Sequence, residues 1–201
     1  MKRTFLCYLL CIVFSVLKAQ GFQSPVAFIY TKTNTYSSLQ KDAFSFAGNQ
    51  AALAGIEKMS VGIYGERRFM LAELTSYQLA FAFPSPSGNF GLQVNRSGNT
   101  LYNQSRLGLA YARALGKIDV GAQFNYHQIR VTGYGNASAV NFDAGAILHV
   151  NDQFQTGVHV YNPTRVSFGK NSEEKLPMIY SFGFGYDVSE KFFIGTEVEK
   201  E

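Results

Sequence analysis

The chain of 201 residues has no tryptophan and only two cysteines, Cys7 and Cys11. Both cysteines lie in one apolar run, Phe5 to Leu17, which follows Lys2 and Arg3 and ends in Lys18-Ala19-Gln20. This is the pattern of a secretory signal over residues 1–19, with the small Ala19 at the cleavage point. The run falls short of the roughly 20 apolar residues that a membrane helix needs, so a retained anchor is the lesser alternative. The bulky Leu10 before Cys11 speaks against a lipid-attachment signal. Cleavage removes both cysteines, which excludes a disulfide framework and thiolate chemistry. It also removes Lys2, Arg3 and Lys18, taking the formal charge from +4 to +1. The basic composition therefore makes no case for nucleic acid. No long continuous apolar stretch follows the signal, and a chain rich in Phe, Tyr and Gly but without such runs suits amphipathic strands better than helices.

From Met59 onward, large apolar side chains alternate with small or polar ones, which is the two-residue period of a strand. The apolar sets are Met59 to Ile63, Tyr77 to Phe83, Phe90 to Val94, Leu107 to Tyr111, Ile118 to Tyr126, Val140 to Leu148, Val158 and Val160, Met178 to Tyr186, and Phe192 to Val198. That predicts about nine strands of roughly 8 to 14 residues, longer than the ~5–6 usual in globular sheets and suited to a tilted membrane strand. Tyr77, Tyr111, Tyr126, Tyr180 and Tyr186 stand near strand ends on the apolar face, as an aromatic girdle would. Connection lengths read as alternating. Tight turns fall at 84–89, 115–117, 150–153 and 189–191, and longer links at 65–73, 95–105, 131–139 and 161–177. Short turns on one side and long loops on the other point to an outer-membrane barrel; a soluble sandwich is the alternative. With both the first and the last strand running outward, the chain stops on the outer rim, so the expectation is a C-terminally truncated, incomplete barrel.

The stretch Lys41 to Gly62, "KDAFSFAGNQAALAGIEKMSVG", resembles the N-terminal region of FadL-type outer-membrane barrels, nearest the PorV and PorQ branch of Bacteroidota. The likeness spans Asp42, Ala43, Gly48, Asn49, Ala51, Ala52, Leu53 and Ala54, and continues in 106–127 and in "NFDAGAILHV" with "GVHVYNPTRV". Where the family has Asn-Pro, this chain has Asn49-Gln50. Asn49 still suits the cap of a short helix over Gln50 to Gly55. The resemblance implies a barrel of about fourteen strands with the N-terminal segment tucked into its lumen. It also implies one of two roles: type IX protein secretion through binding of cargo or a component, or passage of hydrophobic solutes.

The expected organisation is a signal over 1–19, an N-terminal periplasmic plug over 20–58 and a transmembrane antiparallel up-and-down β-barrel, all-β, over 59–201. Asp42, Asn49, Gln50 and Leu53 are the plug or gate candidates. Gln93, Asp119, Gln123, His127, Asp143, His149, His159 and Asp187 fall on the polar face, where a lumen would place them. The histidines lie on different strands, so wall positions suit them better than a metal site. The aspartates are likewise read as wall residues rather than an acid and base pair. The glycines of "GYGNAS" and "GFGYD" build neither a nucleophile elbow nor a phosphate loop, and no enzyme, cofactor or metal is expected. Arg67 and Arg68 are loop contact candidates, facing lipopolysaccharide phosphates or solvent. The stretch 167–177 reads as a mobile loop. The expected location is the outer membrane of a Gram-negative bacterium. Partners would be outer-membrane lipid and lipopolysaccharide, with secreted cargo, secretion-machinery proteins or a hydrophobic small molecule in addition. A secreted soluble β-sandwich adhesin is the further alternative.

Overall fold

The computed structural model describes residues 32–168 and 175–201. The signal over 1–19 and the first part of the plug, 20–31, lie outside the described residues. The fold is all-β, with nine strands: β1 (Ser60–Arg67), β2 (Thr75–Phe83), β3 (Asn89–Gly98), β4 (Tyr102–Leu115), β5 (Ile118–Val131), β6 (Gly135–His149), β7 (Phe154–Tyr161), β8 (Ile179–Ser189) and β9 (Phe192–Lys200). Each pairs antiparallel with the next in chain order, giving one up-and-down sheet. Among the described residues the outer edges of β1 and β9 have no partner, so the sheet is not closed into a barrel.

Two of the four links expected to be long are tight. β3 and β4 pair up to Gly98 and Asn103 and are joined through 99–101, where the Asn99 N–H donates to the Tyr102 carbonyl at 2.8 Å. β5 and β6 pair up to Val131 and Gly135, joined through 132–134. Gly98 and Gly135 turn these corners at φ 102° and 101°, a left-handed region that costs glycine nothing. The strands run on through Asn103, Ser105, Gln128, Asn136 and Ser138, which turn the bare face polar. The hydrophobic contrast fades there, but the backbone ladder does not. Only 68–74 and 162–178 remain as long links.

The sheet has its large apolar side chains on the bare face. Ile63, Leu109, Phe124, Val140, Phe182 and Val198 are all exposed, Phe124 at 66%. The opposite face carries Gln78, Gln93, Asn95, Gln123, Asn125, Asn141, Asp143 and Gln155, all buried. The N-terminal segment covers it: a 3-10 turn over Ser45–Ala47 and a 3-10 helix over Gln50–Gly55, rather than an α-helix, lie against β3 to β6. Phe46 and Leu53 are fully buried there beside Ala80, Ala82, Ala110 and Ala112, each worth about 1.5–3 kcal/mol of apolar burial.

The link after β7 is not the free loop expected at 167–177. Phe168 and Leu176 are buried against Ala139, with Ile129, Ala137 and Val166 packed around them, and 169–174 lie outside the described residues. Asn162, buried at φ 48°, donates from Nδ2 to the carbonyl of Leu176 at 2.9 Å and accepts the N–H of Val166 at 3.2 Å. Its side chain thus ties both ends of the link together.

Candidate functional site

The covered face and its plug form the site. Small residues make room for it. A Cβ at Gly91 would lie 3.0 Å from Phe46 Cζ, at Gly121 2.5 Å from the Gln50 carbonyl, at Gly145 2.0 Å from Asn49 Oδ1 and at Gly183 2.2 Å from the Tyr36 ring. These glycines sit on β3, β5, β6 and β8, near the short-turn end of the sheet. They are a seat for the plug backbone, the close approach that glycine in a strand permits. Tyr36 packs there with Ala51, Ala52 and Ile147, the last an apolar residue on the otherwise polar face.

Side-chain hydrogen bonds hold the plug in the seat. Asn49 caps the 3-10 helix by accepting from the Ala51 N–H at 3.0 Å, while its Nδ2 donates to the Val158 carbonyl at 3.0 Å. Asn89 Nδ2, at the start of β3, donates to the carbonyls of Leu53 at 2.8 Å and Ile56 at 2.8 Å, satisfying groups left over at the helix end. Asp187 accepts from Ser37 Oγ and the Ser38 N–H, and Gln155 Nε2 donates to Ser38 Oγ. Charge adds to this. Lys32 pairs with Glu199 on β9 at 3.1 Å. Lys41 lies in the field of Asp119 and Asp187, but burial outweighs their attraction and pulls its pKa below the ordinary lysine value. Burial, helped by the charge of Glu197, pushes the Tyr36 hydroxyl well above its usual range.

Beyond the plug, toward the buried link, the face carries a hydrogen-bonded polar layer. Asp143 accepts from Asn125 Nδ2 at 2.7 Å, Asn141 Nδ2 at 2.9 Å and the Asn162 N–H at 3.2 Å. Gln123 Nε2 donates to Asn125 Oδ1 at 2.6 Å, and His127 Nε2 meets Asn141 Oδ1 at 2.8 Å. Arg106 donates to Gln93 Oε1 at 2.8 Å. With the Asn95 amide oriented so that its oxygen faces Arg106, it accepts at 2.8 and 3.0 Å. At the free edge of β9, Lys32, Tyr36, Phe193 and Glu197 line a cleft of about 620 Å³.

Gln93, Asp119, Gln123, His127, Asp143, His149, His159 and Asp187 all lie on the covered face. Gln123, His127 and Asp143 meet in the polar layer; the eight do not converge on one point. His149 meets Asp119 at 2.7 Å, His127 belongs to the polar layer, and His159 is separate from both. Among the described residues no group of three or more His, Cys, Asp or Glu side chains is placed to hold a metal ion. Asn49, Gln50 and Leu53 are buried in the plug. Asp42 is exposed and shapes its own turn, accepting from the Phe44 N–H at 2.8 Å. Arg67 and Arg68 are exposed, and Arg68 turns back onto Glu66 at 2.5 Å. The sequence reading passed over Ser37, Asn89, Arg106 and Asn162. Each is a single polar residue whose partner is 13 to 150 positions away, and no local pattern marks such a pairing.

The chain matches no known protein family, no curated protein and no solved structure. Its function is therefore read from the inverted sheet and the plug.

Proposed function

We propose that this chain is part of the wall, with the plug, of an outer-membrane β-barrel. It serves type IX protein secretion by binding cargo or a component of the machinery rather than by conducting solute. The observation that carries the reading is the inversion of the sheet: exposed Leu, Ile, Val and Phe on one face, buried Gln, Asn and Asp on the other. In water such a face far exceeds the few hundred Å² that soluble monomers expose, whereas a lipid-facing wall requires it. A sandwich would bury that face under a second sheet, and the described residues form one sheet. The unpaired edges of β1 and β9 fit an arc of a larger barrel, because backbone groups in lipid must all be paired.

The plug and the buried Phe168 and Leu176 both occupy the covered face, which favours a binding role over an open pore. The secretion role rests on the resemblance of Lys41 to Gly62. The second reading, a gated channel for hydrophobic solutes, draws on the seat: with Gly91, Gly121, Gly145 and Gly183 behind the plug, its departure would leave a wide gap.

Deleting the gene tests the role. Secreted proteins should accumulate in the periplasm, and the protein should be found in outer-membrane fractions with heat-modifiable mobility on gels. Normal secretion would rule out the secretion role, and recovery in the soluble fraction would rule out the barrel. Deleting residues 42–56 should leave solute uptake unchanged; raised uptake would favour the channel.

A further inference from the structure

Arg67 on β1, Arg96 on β3 and Arg130 on β5 all point from the bare face at the end of the sheet away from the plug. The register places Arg67 opposite Thr75, Gly98 opposite Asn103 and Asn103 opposite Arg130, so Arg67 and Arg130 share one rank. Arg96 stands two residues nearer the apolar band, opposite Tyr77 and Ser105. All three are exposed, and no hydrogen bond or ion pair reaches any of them among the described residues. The chain has only two carboxylates between Glu73 and Asp152, Asp119 and Asp143. Both are buried on the other face, so the bare face of β2 to β6 is purely cationic at this end. Just below this rank the apolar band ends in Ile63, Leu79, Val94, Leu107 and Tyr126, which share one line of the register.

The link beside Arg67 adds an apolar tip. Phe69 and Met70 are 85% and 83% exposed, with φ of 53° and 58°, a conformation that is strained for bulky side chains. Together these make a boundary of the kind found where an acyl region meets headgroups: apolar below, arginine above, and no acid on the bare face of β2 to β6, Glu73 standing exposed in the link itself. Arg suits phosphate because its planar fork donates two hydrogen bonds at once.

We propose that Arg67, Arg96 and Arg130 bind the phosphates of lipid headgroups in the leaflet on the long-link side, with Phe69 and Met70 inserted beside them. This rests on the membrane-barrel reading. Arg68 takes no part, because Glu66 neutralises it.

Native mass spectrometry of the full-length protein in neutral detergent tests it, with phosphatidic acid and diacylglycerol as the probes, which differ only in the phosphate. The wild type should retain phosphatidic acid and not diacylglycerol. The triple variant Arg67→Gln, Arg96→Gln, Arg130→Gln should retain about a hundredfold less, the three arginines near a lipid surface acting together. Its heat-modifiable mobility on gels should match the wild type, which separates lipid loss from misfolding. Equal retention by variant and wild type overturns the proposal. Displacement of the lipid by excess inorganic phosphate also overturns it, since the arginines would then take a free anion. Residues 1–201 have no tryptophan, so Phe69→Trp, with any tryptophan elsewhere in the full-length protein replaced, is a lone reporter. Its emission should be quenched by lipids brominated near the headgroup, and absence of quenching overturns the insertion. Flotation of the wild type with phosphatidylcholine vesicles separates the two levels: failure to float rejects the barrel and this proposal with it. Flotation with indiscriminate lipid retention rejects this proposal alone.

Discussion

The Asp187 carboxylate on β8 accepts the hydroxyl of Ser37 at 2.6 Å, joining residues 150 positions apart. Its other oxygen takes the Ser38 N–H, also at 2.6 Å, and Asp187 is fully buried. Hydrogen bonds to an ionised group count for more than neutral ones, and stranding their donors costs more again. Asp187→Ala should weaken plug docking by about 1–3 kcal/mol. Hydrogen exchange would show faster exchange over 32–58 with β3 to β6 unchanged; unaltered protection would mean that this contact holds nothing.

The glycine seat makes a steric prediction. Gly145→Val and Gly121→Val add bulk where even a Cβ would meet Asn49 and Gln50 at 2.0 and 2.5 Å. Overpacking of this kind costs about 1–3 kcal/mol, and the plug rather than the nine-strand ladder should give way. Spin labels at positions 38 and 155, in a protein with Cys7 and Cys11 replaced by Ser, should move apart in either variant. An unchanged distance would show that the wall yields instead.

A substitution at Phe124 distinguishes a lipid-facing wall from a soluble sheet. At 66% exposure, Phe124→Arg would be nearly neutral on a soluble surface. Facing the middle of a bilayer it should cost about 2–4 kcal/mol. Folding into phosphatidylcholine vesicles, titrated with urea, reads the difference, and a midpoint equal to wild type would argue against a lipid-facing position.

Docking should depend on pH with a change of sign. Lys41 has its pKa lowered in the docked plug, chiefly by burial, so the undocked form binds more protons and docking strengthens as pH rises toward 10.5. Tyr36 works the other way. Its pKa is raised by burial, so above the ordinary 10.0 the undocked form loses a proton that the docked form keeps, and docking weakens. Protease protection of 32–58 should rise as pH approaches about 10 and then fall. With Lys41→Met the rising limb should vanish and the falling limb remain; an intact rising limb would clear Lys41 of the effect.

The strands were legible because alternation at Ile118 to Tyr126 or Tyr77 to Phe83 is a direct print of the two faces. The Asn49 cap was legible for a similar reason, since an Asn side chain reaches its own next backbone amides. Strand ends were not. Past Val94 and Tyr126 the bare face turns polar, and only the ladder, which leaves no trace in side-chain type, continues to Gly98 and Val131. Nor was the seat: Gly121 and Gly145 show up as small residues on the polar face, but what fills the space over them is a segment more than 60 positions earlier. Phe168 and Leu176 were missed because two isolated apolar residues in a polar link carry no period.

The Asp187 contact also sets what the finished fold demands of the chain. The plug is the earliest part of the described chain, yet its anchors lie on β3, β7 and β8. Closing so long a loop is slow and is rewarded only at the end. Docking of Ser37 on Asp187 requires β8 to be in place, so the full hold on the N-terminal segment is available only to a chain whose sheet reaches that far.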